Sequence, residues 1–486
     1  MSFILILPII LPMIMAMIIA QKNIIRKDRL MAFAIFSTAM TSLIVFFIMF
    51  KLPGTSLPIL HVNEFIDIRL KGDGLGFIFA GLASILWTLT SAYAGVYMKH
   101  EGKERYFFIF FLMTEGVTMG IALAGNLFTL YAFYEILTLT TFPLVIHAGT
   151  KEALYSGKKY IIYSLFGATL ILFGMMILFS AAQSLEFTAG GLAQLLKYGQ
   201  PDLLAGAFLA LFVGFGVKAA LVPLHSWLPA AMVAPTPVSA LLHAVAVVKS
   251  GIFSLVRMTF FIFGPALVMS MHLRAFLLSI VLMTIVFGSF MALHQTHLKK
   301  RLAYSTISQL GYMLLGIILL NEDALLGTMI HLINHALIKI VLFFCVGAIT
   351  YSTGKKYIYE IGGIGRKMPV TMMCFSVASI SLIGIPPSNG FVSKWFLGLG
   401  AMSAGQTLNI VILLLSAFLT AGYLLPIVVG AFFTKTASDI ADEENLDPPK
   451  AMLIPIVVIT GLVITMGIFP NPVIGYLQVA IEKIFL

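Results

Sequence analysis

Residues 325–351 read LLGTMIHLINHALIKIVLFFCVGAITY. About 20 apolar residues in a helix cross the hydrocarbon of a bilayer, so this run is long enough to span one. Inside it stand His331, His335 and Lys339, at i, i+4 and i+8. That spacing puts three protonatable groups on one helix face, about 6 Å apart. The run therefore decides both the fold class and the question that follows from it, which is why a membrane helix carries a stripe of charge.

Working outward, thirteen further apolar runs of similar length accompany it, at 3–20, 31–50, 75–98, 106–124, 127–147, 160–182, 203–222, 235–261, 275–294, 302–320, 369–391, 407–433 and 451–470. The 486 residues are 60% hydrophobic and 10% charged, against about 45–50% and 25% in soluble domains. A mean hydropathy of +1.03 excludes a water-soluble enzyme, a disordered chain and a nucleic-acid binder. Two cysteines, Cys345 and Cys374, are too few for a disulfide scaffold or a four-cysteine iron–sulfur cluster. The expectation is an all-α polytopic membrane protein with about 14 transmembrane helices. The first run leads straight into Lys22–Arg29 without a small-residue cleavage site and reads as a retained helix. Residues 471–486 read as an interfacial segment, and 51–74 is the longest connection.

Charge gives the orientation. Connections after the odd-numbered spans hold nineteen Lys and Arg, from Lys22, Arg26, Lys27 and Arg29 through Lys435 and Lys450, and the other side holds six. The excess belongs in the cytoplasm, which puts both termini on the outer side of the cell membrane.

Seven Lys, Arg and Glu residues fall inside the runs or, for Lys394, three residues beyond one: Glu115, Glu135, Lys218, Lys249, Arg257, Lys339 and Lys394. Arg257 lies near a helix end, where it can snorkel. The other six would cost roughly 15 kcal/mol facing lipid, at about 2.5 kcal/mol or more each, so they face protein or water. Static glue between helices is one reading. Hydroxyl or amide groups would serve that purpose more cheaply, and four lysines outnumber two glutamates. A lysine taken out of water releases its proton more readily, which favours a proton relay.

The local sequences sharpen this. In span 5, LFTLYAFYEILTLTTFPLVIH centres Glu135. In spans 7–8, Lys218 precedes Pro223 by five residues, with His225, His243 and Lys249 following. Pro223 breaks helix 7 beyond the lysine, and broken helices at membrane depth line cavities or lie buried. In span 10, Ser305, Ser308, Gln309 and Tyr312 form one polar stripe. In span 12, GIPPSNGFVSK breaks helix 12 at Pro386, Pro387 and Gly390 ahead of Lys394. Spans 4–8 and 9–13 are five helices each, and an odd number per unit gives the inverted-repeat pattern of transporters. The divisions are 1–105, an N-terminal three-helix segment; 106–262 and 263–434, the two repeats; and 435–486, a C-terminal helix and tail. Two His at i, i+4 can hold a metal, but no third ligand accompanies them, so no metal is expected. No phosphate loop or dinucleotide fingerprint is present, and no cofactor or catalytic group is expected.

The segments NLFTLYAFYEILTLTTFPL, VKAALVPLHSWLPAAMVAPTPVSALLHAVAVVKSG, LKKRLAYSTISQLGYM, HLINHALIKIVLFF, IGGIGRKMP and GIPPSNGFVSK run in order across residues 126–394. Together they resemble the antiporter-like subunits shared by Mrp-type sodium/proton antiporters, membrane-bound hydrogenases and respiratory complex I. The resemblance implies that Glu135 pairs with Lys218 in a first half-channel. It implies that His243, Lys249, His331, His335 and Lys339 form a central hydrophilic axis, and that Lys394 ends the second half-channel. Lysine at 394 differs from the glutamate of the M-type subunit, and the chain is without the lateral C-terminal helix usual in the L type. The D subunit of Mrp antiporters fits best. Where the family usually has an acid before LKKRLAYSTISQ, this sequence has His297.

The implied function is ion translocation, of protons and with sodium/proton antiport left open, in a multisubunit membrane complex. The same module in a redox-driven hydrogenase or quinone oxidoreductase is the alternative, and a static anchor is the reading from another class. Implied partners are the bilayer and other membrane subunits, including at least one further antiporter-like or small subunit, with no nucleic acid.

Overall fold

A computed structural model describes residues 2–21, 24–61, 67–198, 200–434 and 445–485. Lys22 and Lys435, two of the loop cations counted above, lie outside the described residues. Helices α1 (Leu7–Ala20) and α2 (Leu30–Lys51) precede a short antiparallel hairpin of β1 (Ser56–His61) and β2 (Asp67–Lys71), which occupies the longest connection. Then come α3 (Gly74–Glu101), α4 (Glu104–Ala122), α5 (Leu127–Val145), α6 (Lys151–Ala182), short α7 (Ala193–Tyr198) and α8 (Pro201–Lys218). One-turn α9 (Trp227–Ala230) leads to α10 (Thr236–Ala244), α11 (Val247–Arg257), a π-helical stretch at Met258–Phe263 and α12 (Pro265–Ser270). The second half holds α13 (Arg274–His294), α14 (Leu298–Leu319), α15 (Glu322–Thr353), short α16 (Ile364–Lys367), α17 (Pro369–Ile383) and α18 (Asn389–Ser403). Next are α19 (Thr407–Phe433), α20 (Lys450–Ile468) and α21 (Asn471–Phe485).

Thirteen helices among the described residues are long and apolar enough to cross a membrane. The fourteenth expected run, 369–391, divides into 15-residue α17 and the start of α18. The chain is thus an all-α polytopic membrane protein with one small hairpin. Burial sorts the helices. The most apolar stretches of 236–263 and of α15 are wholly buried, whereas only a third of the corresponding stretch in α2, α19 and α20 is. Residues 236–263, α14 and α15 form the buried centre, and α1, α2, α19 and α20 turn most of their apolar surface outward. Asparagine caps set two of the starts: Asn126 accepts from Thr129 N at 2.7 Å and Asn321 from Ala324 N at 2.9 Å.

Three local expectations change. Gly390 lies in the first turn of α18, so the break at 384–388 belongs to Pro386 and Pro387. Span 8, expected to be continuous, is interrupted at Val245–Ala246, between His243 and Lys249. The Leu241 carbonyl there accepts from both Val245 N and Ala246 N. No proline or glycine marks this break, which falls in a cluster of β-branched valines with modest helix preference.

Arg257 does not snorkel. It is fully buried, its Nη2 donates to Asp73 Oδ1 at 2.6 Å, and its guanidinium packs on Phe253 and Phe261 at 4.9 and 4.8 Å from the ring centres. Asp73 also caps α3 through Gly76 N at 2.9 Å. Burial works to raise the Asp73 carboxyl, but Arg257, the Gly76 amide and Lys71 outweigh it and hold it below the ordinary range. Asp73→Asn keeps the cap and strips the charge, leaving a buried cation unpaired. The expected loss is about 3–5 kcal/mol of stability, read as a lowered melting temperature at pH 7. Because the carboxyl is depressed, the wild-type advantage is present at neutral pH and fades as the pH falls through its folded value.

Candidate functional site

The first group sits where α8 ends. Lys218 is its last residue and 1% exposed. Its Nζ donates to the Tyr134 carbonyl and lies 3.5 Å from the centre of the Tyr134 ring. Trp227 Nε1 donates to the Val217 carbonyl at 2.8 Å, covering one of the carbonyls left at the helix end. Glu135, the next residue after Tyr134, is half-buried, and its Oε1 has no hydrogen-bond partner. The carboxylate and the ammonium interact electrostatically, yet no ion pair joins them within 4 Å among the described residues. Lys218 rests instead on the backbone and ring beside the glutamate. Pro223 is exposed in the connection that follows. Helix α11 reaches this point through Gly251, where a Cβ would meet Ala219 N at 2.6 Å.

Lys249 Nζ lies 2.8 Å from His335 Nδ1 and 3.6 Å from Met313 Sδ. An ammonium has no acceptor, so a charged Lys249 donates and His335 carries its proton on Nε2. That Nε2 has no protein partner, and neither ring nitrogen of His243 has one. Lys339 Nζ donates to the Leu302 carbonyl at 3.0 Å and to Ser305 Oγ. His331 Nδ1 is 2.8 Å from Ser393 Oγ, and its ring stacks on Tyr312 with centres 5.7 Å apart. Lys249, His243, Lys339 and His331 all act electrostatically on His335. These residues from α10, α11 and α15 are one connected cluster.

At the second break the lysine follows the gap and closes the broken helix itself. Lys394 Nζ donates to the Leu382 and Ile383 carbonyls at 2.8 and 2.7 Å, the last two of α17. Those carbonyls have lost their helical donors to the proline break. Lys394 also lies 5.3 Å from the centre of the Tyr312 ring. Pro386 and Pro387 are exposed, as is Trp395 beside the lysine.

The expected polar stripe of α14 divides. Ser305 meets Lys339 and Tyr312 meets His331, but Ser308 turns to Ser289 and Ser416 at 2.8 and 3.0 Å. Gln309 has no partner on either amide atom. Sequence reading missed an amide pair beneath the second break. Asn334 Nδ2 donates to the Asn389 carbonyl at 2.6 Å, and Ser381 Oγ donates to Asn389 Oδ1. Asn334 stands three residues after His331, on the same face, and that spacing was its signal. Outside the spans, His297 faces a cavity of about 410 Å³ lined also by Glu101, Glu152, Lys299 and Lys356. Burial, then Lys299, Lys300 and Lys356, push its imidazole down to about 4, so it is neutral at pH 7.

Buried polar atoms without protein partners need water or a proton exchange to satisfy them. Glu135, His243, Gln309, His331 and His335 each carry such an atom, and so do Glu115, Thr138 and Ser379 elsewhere in the helices.

Comparisons with known proteins bear on the family and the fold. The family described as NADH:quinone oxidoreductase/Mrp antiporter, transmembrane, matches residues 124–420. NADH-quinone oxidoreductase subunit N of Desulforudis audaxviator is 34% identical over 412 residues, 82% of this chain and 80% of that protein. The A subunit of the Na(+)/H(+) antiporter of Alkalihalophilus pseudofirmus is 32% identical over 433 residues, 84% of this chain but 53% of that protein. The chain therefore spans about half the length of this antiporter relative. Among solved structures, a chain of the archaeal membrane-bound sulfane sulfur reductase shares the fold with a TM-score of 0.87 and 24% identity, covering 98% of this chain and 97% of that one. A chain of the Mrp complex from Dietzia sp. does so with a TM-score of 0.87 and 20% identity, covering 100% and 97%.

Proposed function

The chain belongs to the NADH:quinone oxidoreductase/Mrp antiporter transmembrane family, and from that premise we propose that it moves protons as one ion-translocating subunit of a multisubunit membrane complex. The observation that carries the reading is the series of ionisable groups from buried Lys218 at one helix break, through buried Lys249, His335 and His331, to half-buried Lys394 at the other. Glu135 and Lys218 load the first half-channel, residues 106–262. The central cluster passes the proton across, and Lys394 releases it from the second half-channel, residues 263–434. Each lysine cycles between ammonium and amine, and each imidazole accepts on one nitrogen and gives up a proton from the other. The two halves are inverted repeats. Sodium/proton exchange uses the same relay run against a second ion.

A redox-driven complex is the second reading, favoured by the 34% identity to subunit N over four fifths of its length. A static anchor is disfavoured, because hydroxyl or amide groups would serve as glue more cheaply than lysines taken to membrane depth. The nineteen-to-six excess of loop cations supports the cytoplasm for the odd-numbered connections and the outer side for both termini.

The test is the native complex purified in detergent, with its subunits identified by mass spectrometry, then sealed into vesicles carrying an internal pH dye. Proton flux that depends on this chain supports the reading. A correctly assembled complex whose flux is unchanged when Lys218 and Lys394 are both replaced by methionine would refute it. Membrane-impermeant labelling of cysteines placed at 152 and 471 tests the orientation. Only the second should label from outside intact cells.

A further inference from the structure

Helix α19 is the least expected contributor to the buried polar network. It faces lipid with Leu414 and Phe418, 66% and 76% exposed, yet it turns Asn409, Ser416, Thr420 and Tyr423 inward, each 1% exposed or less. These residues lie at i, i+7, i+11 and i+14, a single stripe.

The stripe meets α13 and α14 in a ring of hydroxyls. Ser289 and Ser416 are 2.7 Å apart, Ser289 and Ser308 2.8 Å, and Ser308 and Ser416 3.0 Å. Ser289 also bonds back to the Ile285 carbonyl at 3.0 Å, the usual habit of a helical serine. Among the described residues Ser308 and Ser416 make no such back-bond and spend their hydroxyls across the helix interface. The backbones must come close for this. At Gly288 a Cβ would meet Ser308 N at 2.5 Å. Each hydroxyl carries one proton and can accept, so the ring can reverse its sense, with Ser289 releasing the Ile285 carbonyl while it donates within the ring.

The ring has ionisable neighbours toward both ends. On one side, Lys339 donates to Ser305 Oγ, Tyr423 interacts with Ser305, and Tyr423 donates to Thr420 Oγ1 at 3.1 Å. Ser305 and Thr420 each stand about one turn, roughly 6 Å, from the ring, a gap that one water bridges. On the other side, the Tyr312 hydroxyl donates to the Leu413 carbonyl at 2.9 Å and interacts with Ser416, and Lys394 Nζ stands 5.3 Å from the centre of the Tyr312 ring, a gap that water has to bridge.

We propose that this hydroxyl column, through Ser416, Ser308 and Ser289, conducts protons between Lys339 and Lys394 as a branch parallel to His335 and His331. The inference rests on the proton-translocation reading. In the transfer the Lys339 ammonium gives a proton to Ser305 and becomes an amine. Each hydroxyl takes one proton and passes on its own, and a neutral Lys394 amine becomes an ammonium. No hydroxyl changes its net charge.

Two parallel branches add their rates, and this makes the test sharp. The complex in dye-loaded vesicles is driven by a potassium diffusion potential. Ser416→Ala is expected to lower proton flux about twofold, and His331→Phe with His335→Phe to leave a measurable residue. The triple variant should fall to the rate of empty vesicles, and Ser416→Thr should restore the wild-type rate. Each variant is first matched to wild type in assembly and melting temperature. Where Ser416→Ala fails to assemble, Ser308→Ala removes the ring from the α14 side instead. The branch is overturned if the serine substitution adds no loss to the histidine-deficient complex, or if threonine is as impaired as alanine. A wild-type complex with no flux at all removes the translocation reading, and this branch with it.

Discussion

Lys394→Arg is expected to leave the complex assembled and to lower proton flux about a hundredfold, the scale on which a positioned proton-transfer group contributes. The side chain's two bonds close the end of α17 at the Leu382 and Ile383 carbonyls. Arginine can make both and preserve the break, but its guanidinium does not release a proton at accessible pH. Lys394→Ala removes both functions and should be at least as damaging, with some loss of melting temperature as the two carbonyls go unsatisfied. The comparison separates capping from titration. An assembled arginine complex that pumps at the wild-type rate would show that Lys394 never deprotonates, and the gate would then lie at Lys339 or Lys249.

Lys249→Met should be as severe. Lys249 stands on α11 and reaches His335 on α15 at 2.8 Å, so it joins the two halves of the chain. Methionine retains most of the stem and packs beside Met313, which limits the cavity left behind. Loss of stability should therefore be small while flux drops about a hundredfold or more. His335→Gln keeps a hydrogen-bonding partner for Lys249 without a titratable ring and should give an intermediate loss. Equal flux in wild type and Lys249→Met, measured in vesicles of matched protein content, would place the crossing elsewhere.

Most of the frame was legible because membrane burial writes itself into composition. A run such as 325–351 has no soluble alternative, and a lysine within it must have a reason to be there. The breaks at Pro223 and at Pro386 and Pro387 were legible for the same kind of reason, since proline removes a donor wherever it stands. The break at Val245–Ala246 was not, because it arises in a stretch of ordinary apolar residues held by tertiary packing. Partner choice was the least legible. Arg257 read as a snorkelling cation, but its partner Asp73 is 184 residues away in sequence. Ser308 read as part of one polar stripe with Ser305 and Tyr312, yet one turn of stripe was wide enough for it to meet Ser289 on α13 and Ser416 on α19 instead. Spacing along one helix fixes which residues share a face, and only the neighbouring helices decide what that face meets.

The Trp227 bond to the Val217 carbonyl has an optical consequence. Only three tryptophans occur in the chain. Trp227 is buried against the residue before Lys218, and Trp395 is 57% exposed directly after Lys394. Each break thus carries its own intrinsic fluorophore, one in a dry setting and the other open to its surroundings. Emission from the first should shift red if the α8 end lets water in. A single-tryptophan chain could then follow either break in time, with no added label.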